Sequence, residues 1–121
     1  MKDYLFLVRG GDAALAKMSP EQMQQHMQKW MAWIEQMSKA GIFKAGEPLD
    51  QKGKVLRGKK QLLTDGPYAE SKDLVGGYLI VKAASLAKAT EIAKDCPIYE
   101  NDGSVEIREI RELHADVHNS K

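Results

Sequence analysis

Asp65-Gly66-Pro67-Tyr68-Ala69-Glu70-Ser71-Lys72, with Leu74-Val75-Gly76-Gly77-Tyr78-Leu79-Ile80-Val81 close behind it, is the stretch on which the reading of this chain turns. The first half gathers charge, a turn signal and an aromatic ring. Asp can hydrogen-bond its own backbone two residues on and Pro fixes φ, so Asp65 to Tyr68 reads as a β-turn. The second half is the most strongly β-forming run of the chain, predicted as a strand over Leu74 to Val81. Gly76 and Gly77 inside it mark a bulge or a close approach of another backbone.

Such a strand needs partners, and the residues on either side supply them. Lys2 to Arg9 is aromatic and branched on both faces, Tyr4, Phe6 and Val8 on one and Leu5 and Leu7 on the other, so it reads as a central strand. Gly10 to Met18 reads as a loop with some helical tendency in Ala13 to Ala16. Ser19-Pro20-Glu21-Gln22 is a helix start: Ser caps, Pro occupies the first turn, and Gln22 completes a capping box. The helix should run to about Ala40 and stop at Gly41. Its apolar stripe is Met23, Met27, Trp30, Ile34 and Met37, with Met31 at the edge and His26 and Trp33 on one shoulder.

Ile42 to Leu49 is the next strand, followed by an Asp50-Gln51-Lys52-Gly53 turn. Lys54 to Arg57 and Gln61 to Thr64 then form a short hairpin around Gly58-Lys59-Lys60. Ser85 caps a second helix from Leu86 to about Lys94, with Leu86, Ala89, Ile92 and Ala93 facing inward, and Pro97 prevents its continuation. Asn101-Asp102-Gly103 is a turn, and Val105 to Leu113 is the last strand. Residues 1–113 are read as one domain and 114–121 as a flexible tail.

Strand, helix, strand with a hairpin excursion, strand, helix, strand is the α+β, ferredoxin-like split β-α-β pattern. It is a mainly antiparallel sheet with both helices on one face. The other face keeps large apolar groups, and a monomer should not leave such a patch bare. The pattern therefore predicts a homodimer packed sheet to sheet, with a cleft between helix, sheet and hairpin in each copy.

Composition narrows the function classes. The chain has 121 residues, a formal net charge of +1 and no basic run longer than Lys59-Lys60, which argues against nucleic acid as a partner. One cysteine, Cys96, forms no internal disulfide and suits a reducing compartment. The apolar run after Met1 is too short for a signal peptide or membrane span, so the expected location is cytoplasmic, with no membrane partner.

The segment Leu63 to Lys72, with Gly76-Gly77-Tyr78 after it, resembles the signature of the YCII-related family, in particular its DGPF branch. Tyr68 stands where Phe is usual and Asp73 where Glu is common. The likeness extends to Ser19-Pro20-Glu21, Ala45 to Leu49, Cys96-Pro97 and Gly103 to Arg108, so it covers nearly the whole chain except the tail. The resemblance implies a dimeric α+β barrel. It also implies kinship with small-molecule enzymes built on that barrel, and in this branch an association with sigma factors. Fold likeness alone assigns no reaction.

The candidate site residues follow from the chemistry. Asp65 is the candidate general base and His26, with an ordinary pKa near neutrality, its acid–base partner. Tyr68, Glu70, Lys72, Trp33 and Arg108 are candidate ligand contacts, Lys72 for an anionic group. The bland reading of each stands beside it: a well-made loop, a solvent-facing His, a Trp at the dimer contact, a structural ion pair at Glu106 and Arg108. Glu47 is a similar case. His114 and His118 are four apart, but no third ligand accompanies them, so no metal and no cofactor is expected. The leading expectation is a cleft that binds a small organic molecule, with cofactor-free acid–base catalysis. The alternative is a non-catalytic regulatory partner in sigma-factor signalling. Asp65, His26 and Trp33 gathered in one pocket would favour the first.

Overall fold

The computed structural model describes residues 1–66 and 73–113. Strand β1 (Lys2–Arg9) alternates strictly: Tyr4, Phe6 and Val8 are buried, while Leu5 and Leu7 are only partly covered. After a short helix α1 (Asp12–Ala16), the long helix α2 (Pro20–Lys39) begins as the sequence predicts. The Ser19 hydroxyl accepts from the Gln22 backbone N–H, and the Ser19 N–H donates back to the Gln22 side chain. Gly41, at φ 75°, takes the left-handed conformation that ends the helix.

Strand β2 (Phe43–Pro48) leads into a hairpin of β3 (Gly53–Arg57) and β4 (Leu62–Gly66). Then come β5 (Val75–Ala83), helix α3 (Leu86–Ala93), a 3-10 helix (Pro97–Asn101) and β6 (Ser104–Glu109). The main sheet has the order β2-β5-β1-β6, antiparallel throughout. This is the α+β, ferredoxin-like arrangement, with β5 and β1 in the interior positions. The pairing register shifts opposite Gly76, between Val8 and Arg9, which is the bulge that the paired glycines foretell.

Both helices contribute to a single core on one sheet face. Trp33 and Met37 of α2 and Ala89 and Ala93 of α3 pack with Tyr4, Phe6, Leu79 and Val81. Phe6 and Val81 are wholly inaccessible, and burying a side chain of that size stabilises the fold by about 1.5–3 kcal/mol. Leu86, expected on the inner face of α3, is instead exposed. It is the first residue of the helix, directly after the Ser85 cap.

The hairpin forms a separate two-stranded sheet. It is longer than its sequence suggests, because β4 continues through Asp65 and Gly66 opposite Lys54 and Gly53. Asp65 is thus a strand residue, and the rest of the β-turn expected to begin there, Pro67 and Tyr68, lies outside the described residues. Leu56, Leu62 and Leu63 are all exposed on this arm. The other face of the main sheet is open as well. Leu5, Leu7, Tyr78 and Ile80 form adjacent cross-strand pairs there, each partly exposed, with Glu106 and Arg108 in register beside Leu7 and Leu5. No helix among the described residues is long and apolar enough to cross a membrane.

Candidate functional site

The buried face of α2 is not centred where its hydrophobic stripe lies. His26, Trp33 and Met37 are the buried residues, whereas Met27 and Met31 remain largely exposed. At about 100° per residue, the helix is turned roughly 60° from the stripe's centre. The physical reason is the division of labour on this helix. Its shoulder carries the bulky Trp33 into the core, and the methionine side is left to form the wall of an opening.

That opening is a cleft of about 350 Å³ between α2, the ends of β2 and β5, and the 3-10 helix. Its volume lies in the range of small-molecule sites. Met23, Met27, Trp30, Met31 and Ile34 line it from α2, with Val8, Leu79 and Ile98 opposite. Gly46 and Gly77 add no side chain to the sheet side, where a Cβ would crowd the neighbouring backbone. A Cβ on Gly77 would sit 3.1 Å from the Glu47 carbonyl oxygen, and one on Gly46 would sit 3.0 Å from that of Tyr78. Ile98 packs against Gly103, where a Cβ would overlap the Ile98 side chain and fall 2.7 Å from the Arg9 carbonyl oxygen.

One lining side chain is polar and buried. His26 is 5% exposed. The Trp30 indole N–H, one turn on, donates to its Nε2 at 2.9 Å. Asn101, at the end of the 3-10 helix, places Nδ2 3.2 Å from the same nitrogen. The His26 and Trp30 rings meet edge to face with centroids 6.3 Å apart, and Trp30 meets Trp33 likewise at 5.8 Å. Among the described residues, Nδ1 of His26 has no hydrogen-bond partner. A buried polar atom without a partner costs about 1–3 kcal/mol.

The other sequence-derived candidates lie elsewhere. Asp65 is on the outside of the hairpin arm, its side chain 90% exposed and paired with Lys54. It does not line the cleft. Trp33 is a core residue behind Trp30 rather than a lining one. Arg108 is exposed on the open sheet face, in register with Leu5. Tyr68, Glu70 and Lys72 fall outside the described residues, as do His114 and His118. Hence the three residues whose meeting would mark an acid–base site do not meet. Glu47 reaches the cleft margin, but it pairs in register with Tyr78, and strand alternation turns both side chains toward the open face. Among the described residues there is no group of three metal-ligating side chains.

Asn101 was not legible as a site residue. In sequence it belongs to an Asn-Asp-Gly turn 75 positions from His26, and nothing in the local pattern connects them. Trp30 reads as core, and its donor function is visible only once the neighbouring ring is placed.

The antiparallel α+β fold thus carries an apolar cleft bordered by a buried imidazole. The chain belongs to the YCII-related domain family, which it matches over residues 3–114. Among solved structures it is similar to the 5-chloro-2-hydroxyhydroquinone dehydrochlorinase of Burkholderia phenoliruptrix AC1100, determined in complex with 2,5-dihydroxybenzoquinone. The identity is 16%, with 95% of this chain and 97% of that chain covered, at a TM-score of 0.48. None of the curated proteins matches the chain in sequence.

Proposed function

We propose that this protein binds a small, largely apolar organic molecule in the α2 cleft, with His26 at its margin. The observation that carries the reading is an open, mainly apolar cleft of about 350 Å³. Apolar walls supply affinity. An open apolar cleft favours this over a non-catalytic partner in sigma-factor signalling.

The proposal is for binding first. Acid–base catalysis requires a second titrating group within reach, and Asp65 lies on the arm with Lys54. Native mass spectrometry of the protein from its expression host, followed by NMR titration with small aromatic ketones, tests the reading. Shifts confined to Trp30, Ile34, Ile98 and Leu79 are expected. Met27→Arg, which sets a charge on the apolar wall, should weaken binding at least about tenfold, and Asp65→Asn should leave it unchanged. Equal loss in both variants, or shifts centred on the arm, would overturn it.

We further propose that two copies pair through the open sheet face, covering Leu5, Leu7, Tyr78 and Ile80. Charges of both signs, Glu106 and Arg108, border that patch, so a two-fold axis can set opposite charges against each other. Sedimentation should give a dimer at micromolar concentration and a monomer for Tyr78→Arg.

A further inference from the structure

Helix α2 carries four methionines, and the fold treats them unequally. Met37 is buried in the core, whereas Met27 and Met31 are 49% and 61% exposed. Met23, Met27 and Met31 are spaced by four, which puts them in one row along the helix. All three line the cleft, so its α2 wall includes two thioethers on side chains that water also reaches. What solvent reaches, a dissolved oxidant reaches too. A peroxide transfers one oxygen atom to a thioether: the O–O bond breaks, an S–O bond forms, the sulfur is oxidised by two electrons, and hydrogen peroxide is reduced to water. The product is a sulfoxide, polar where the thioether was apolar.

We infer that Met27 and Met31 are a modification site, where oxidation by a peroxide to the sulfoxides closes the cleft to apolar ligands until a reductase removes the oxygen. This rests on the reading that the cleft binds a small apolar molecule, and it adds the regulation of that site. Turned inward, a sulfoxide oxygen gives up its hydration against an apolar ligand. Turned outward, it carries away the surface that would cover that ligand. The facing wall cannot compensate, because the side chains of Val8, Leu79 and Ile98 have no hydrogen-bond donor to give. Cys96 does not compete for the oxidant. It is buried, and burial raises its thiol to about 12, so the reactive thiolate is scarce at neutral pH.

The test treats the full chain with hydrogen peroxide at neutral pH and locates the sulfoxides by peptide mass spectrometry. Met27 and Met31 should react well before Met37, which shares their helix and differs in exposure. NMR titration with acetophenone should then show affinity reduced at least about tenfold. The urea midpoint should barely move, since neither residue belongs to the core. Methionine sulfoxide reductases for both sulfoxide epimers should restore the affinity. Leucine is apolar, close to methionine in volume and inert to peroxide. The Met27→Leu/Met31→Leu protein, whatever its starting affinity, should therefore keep it through the same treatment. Full conversion of Met27 and Met31 with affinity unchanged overturns the inference. So does oxidation of Met37 at their rate, or a loss of affinity that the double variant shares. Each of those results leaves the cleft reading standing, whereas failure of the untreated protein to bind acetophenone sinks that reading and the regulation with it.

Discussion

The hairpin arm and the α2 cleft make opposite use of their polar residues. On the arm, Asp65 and Lys54 pair across two strands with their side chains 90% and 66% exposed. Water solvates both, and the pair leaves nothing unsatisfied. At the cleft, His26 is almost sealed from solvent, and two neighbours occupy one of its nitrogens while the other has no partner among the described residues. A charged cluster draws the eye in a sequence, yet exposed charge is readily satisfied by solvent. A single buried imidazole with spare hydrogen-bonding capacity is chemically more demanding, and the fold must maintain it against its cost.

The sharpest way to test this contrast is to damage the support of each region. Trp33 stands behind Trp30 in the core, so Trp33→Ala should destabilise the protein by about 3–5 kcal/mol in urea unfolding. Leu63→Ala on the arm, at a residue 62% exposed, should change stability by no more than about 0.5 kcal/mol. Comparable losses would mean that the arm is packed against something in solution, and the dimer would then be the first place to look.

A smaller effect concerns Cys96, buried beside the 3-10 helix that carries Asn101. Burial pushes its thiol from 9.0 up to about 12, although a backbone hydrogen bond from Ile98 draws it slightly down. Between those values the folded protein keeps a proton that the unfolded chain has lost. Stability from this group is therefore intact below about pH 9 and declines as pH rises toward 12. Disulfide-exchange reagents at pH 8 should modify Cys96 only at the unfolding rate. Fast labelling of native protein would show that this end of the cleft opens. Burial also raises the Tyr99 hydroxyl, which donates to the Ala93 carbonyl at 2.8 Å on the same side of the molecule.

The smallest effect is expected at the arm's ion pair. Asp65→Asn should shift stability by under about 0.5 kcal/mol, less still in high salt, because exposed pairs are weak and screened. A drop beyond about 1 kcal/mol would make Asp65 a structural keystone and reverse its ranking against His26.

Much of the architecture was legible because it rests on local rules. Alternation in Lys2–Arg9 marks the central strand, Ser19 to Gln22 caps α2, and Gly76-Gly77 announces the bulge opposite Val8 and Arg9. Each depends on neighbours a few residues away. The end of β4 was misjudged because Asp-Gly-Pro carries strong turn chemistry, whereas pairing with Gly53 and Lys54 extends the strand through Gly66. Long-range pairing outweighed local propensity there.

The site was less legible, for a related reason. His26 stood out by residue type and by its place on the shoulder of a stripe, but its meaning depends on an amide 75 positions away and on which way α2 is rolled. The order of strands and helices, their caps and turns, and the two-faced character of β1 follow from short-range sterics and hydrophobic periodicity, which the amino-acid sequence carries by itself. Tertiary structure alone decided that Trp33 enters the core, that Asp65 stays in water, and that Trp30 and Asn101 converge on one nitrogen of His26. Those outcomes depend on how whole elements rotate and dock, and the hydrogen bonds that define the cleft exist only after they have done so.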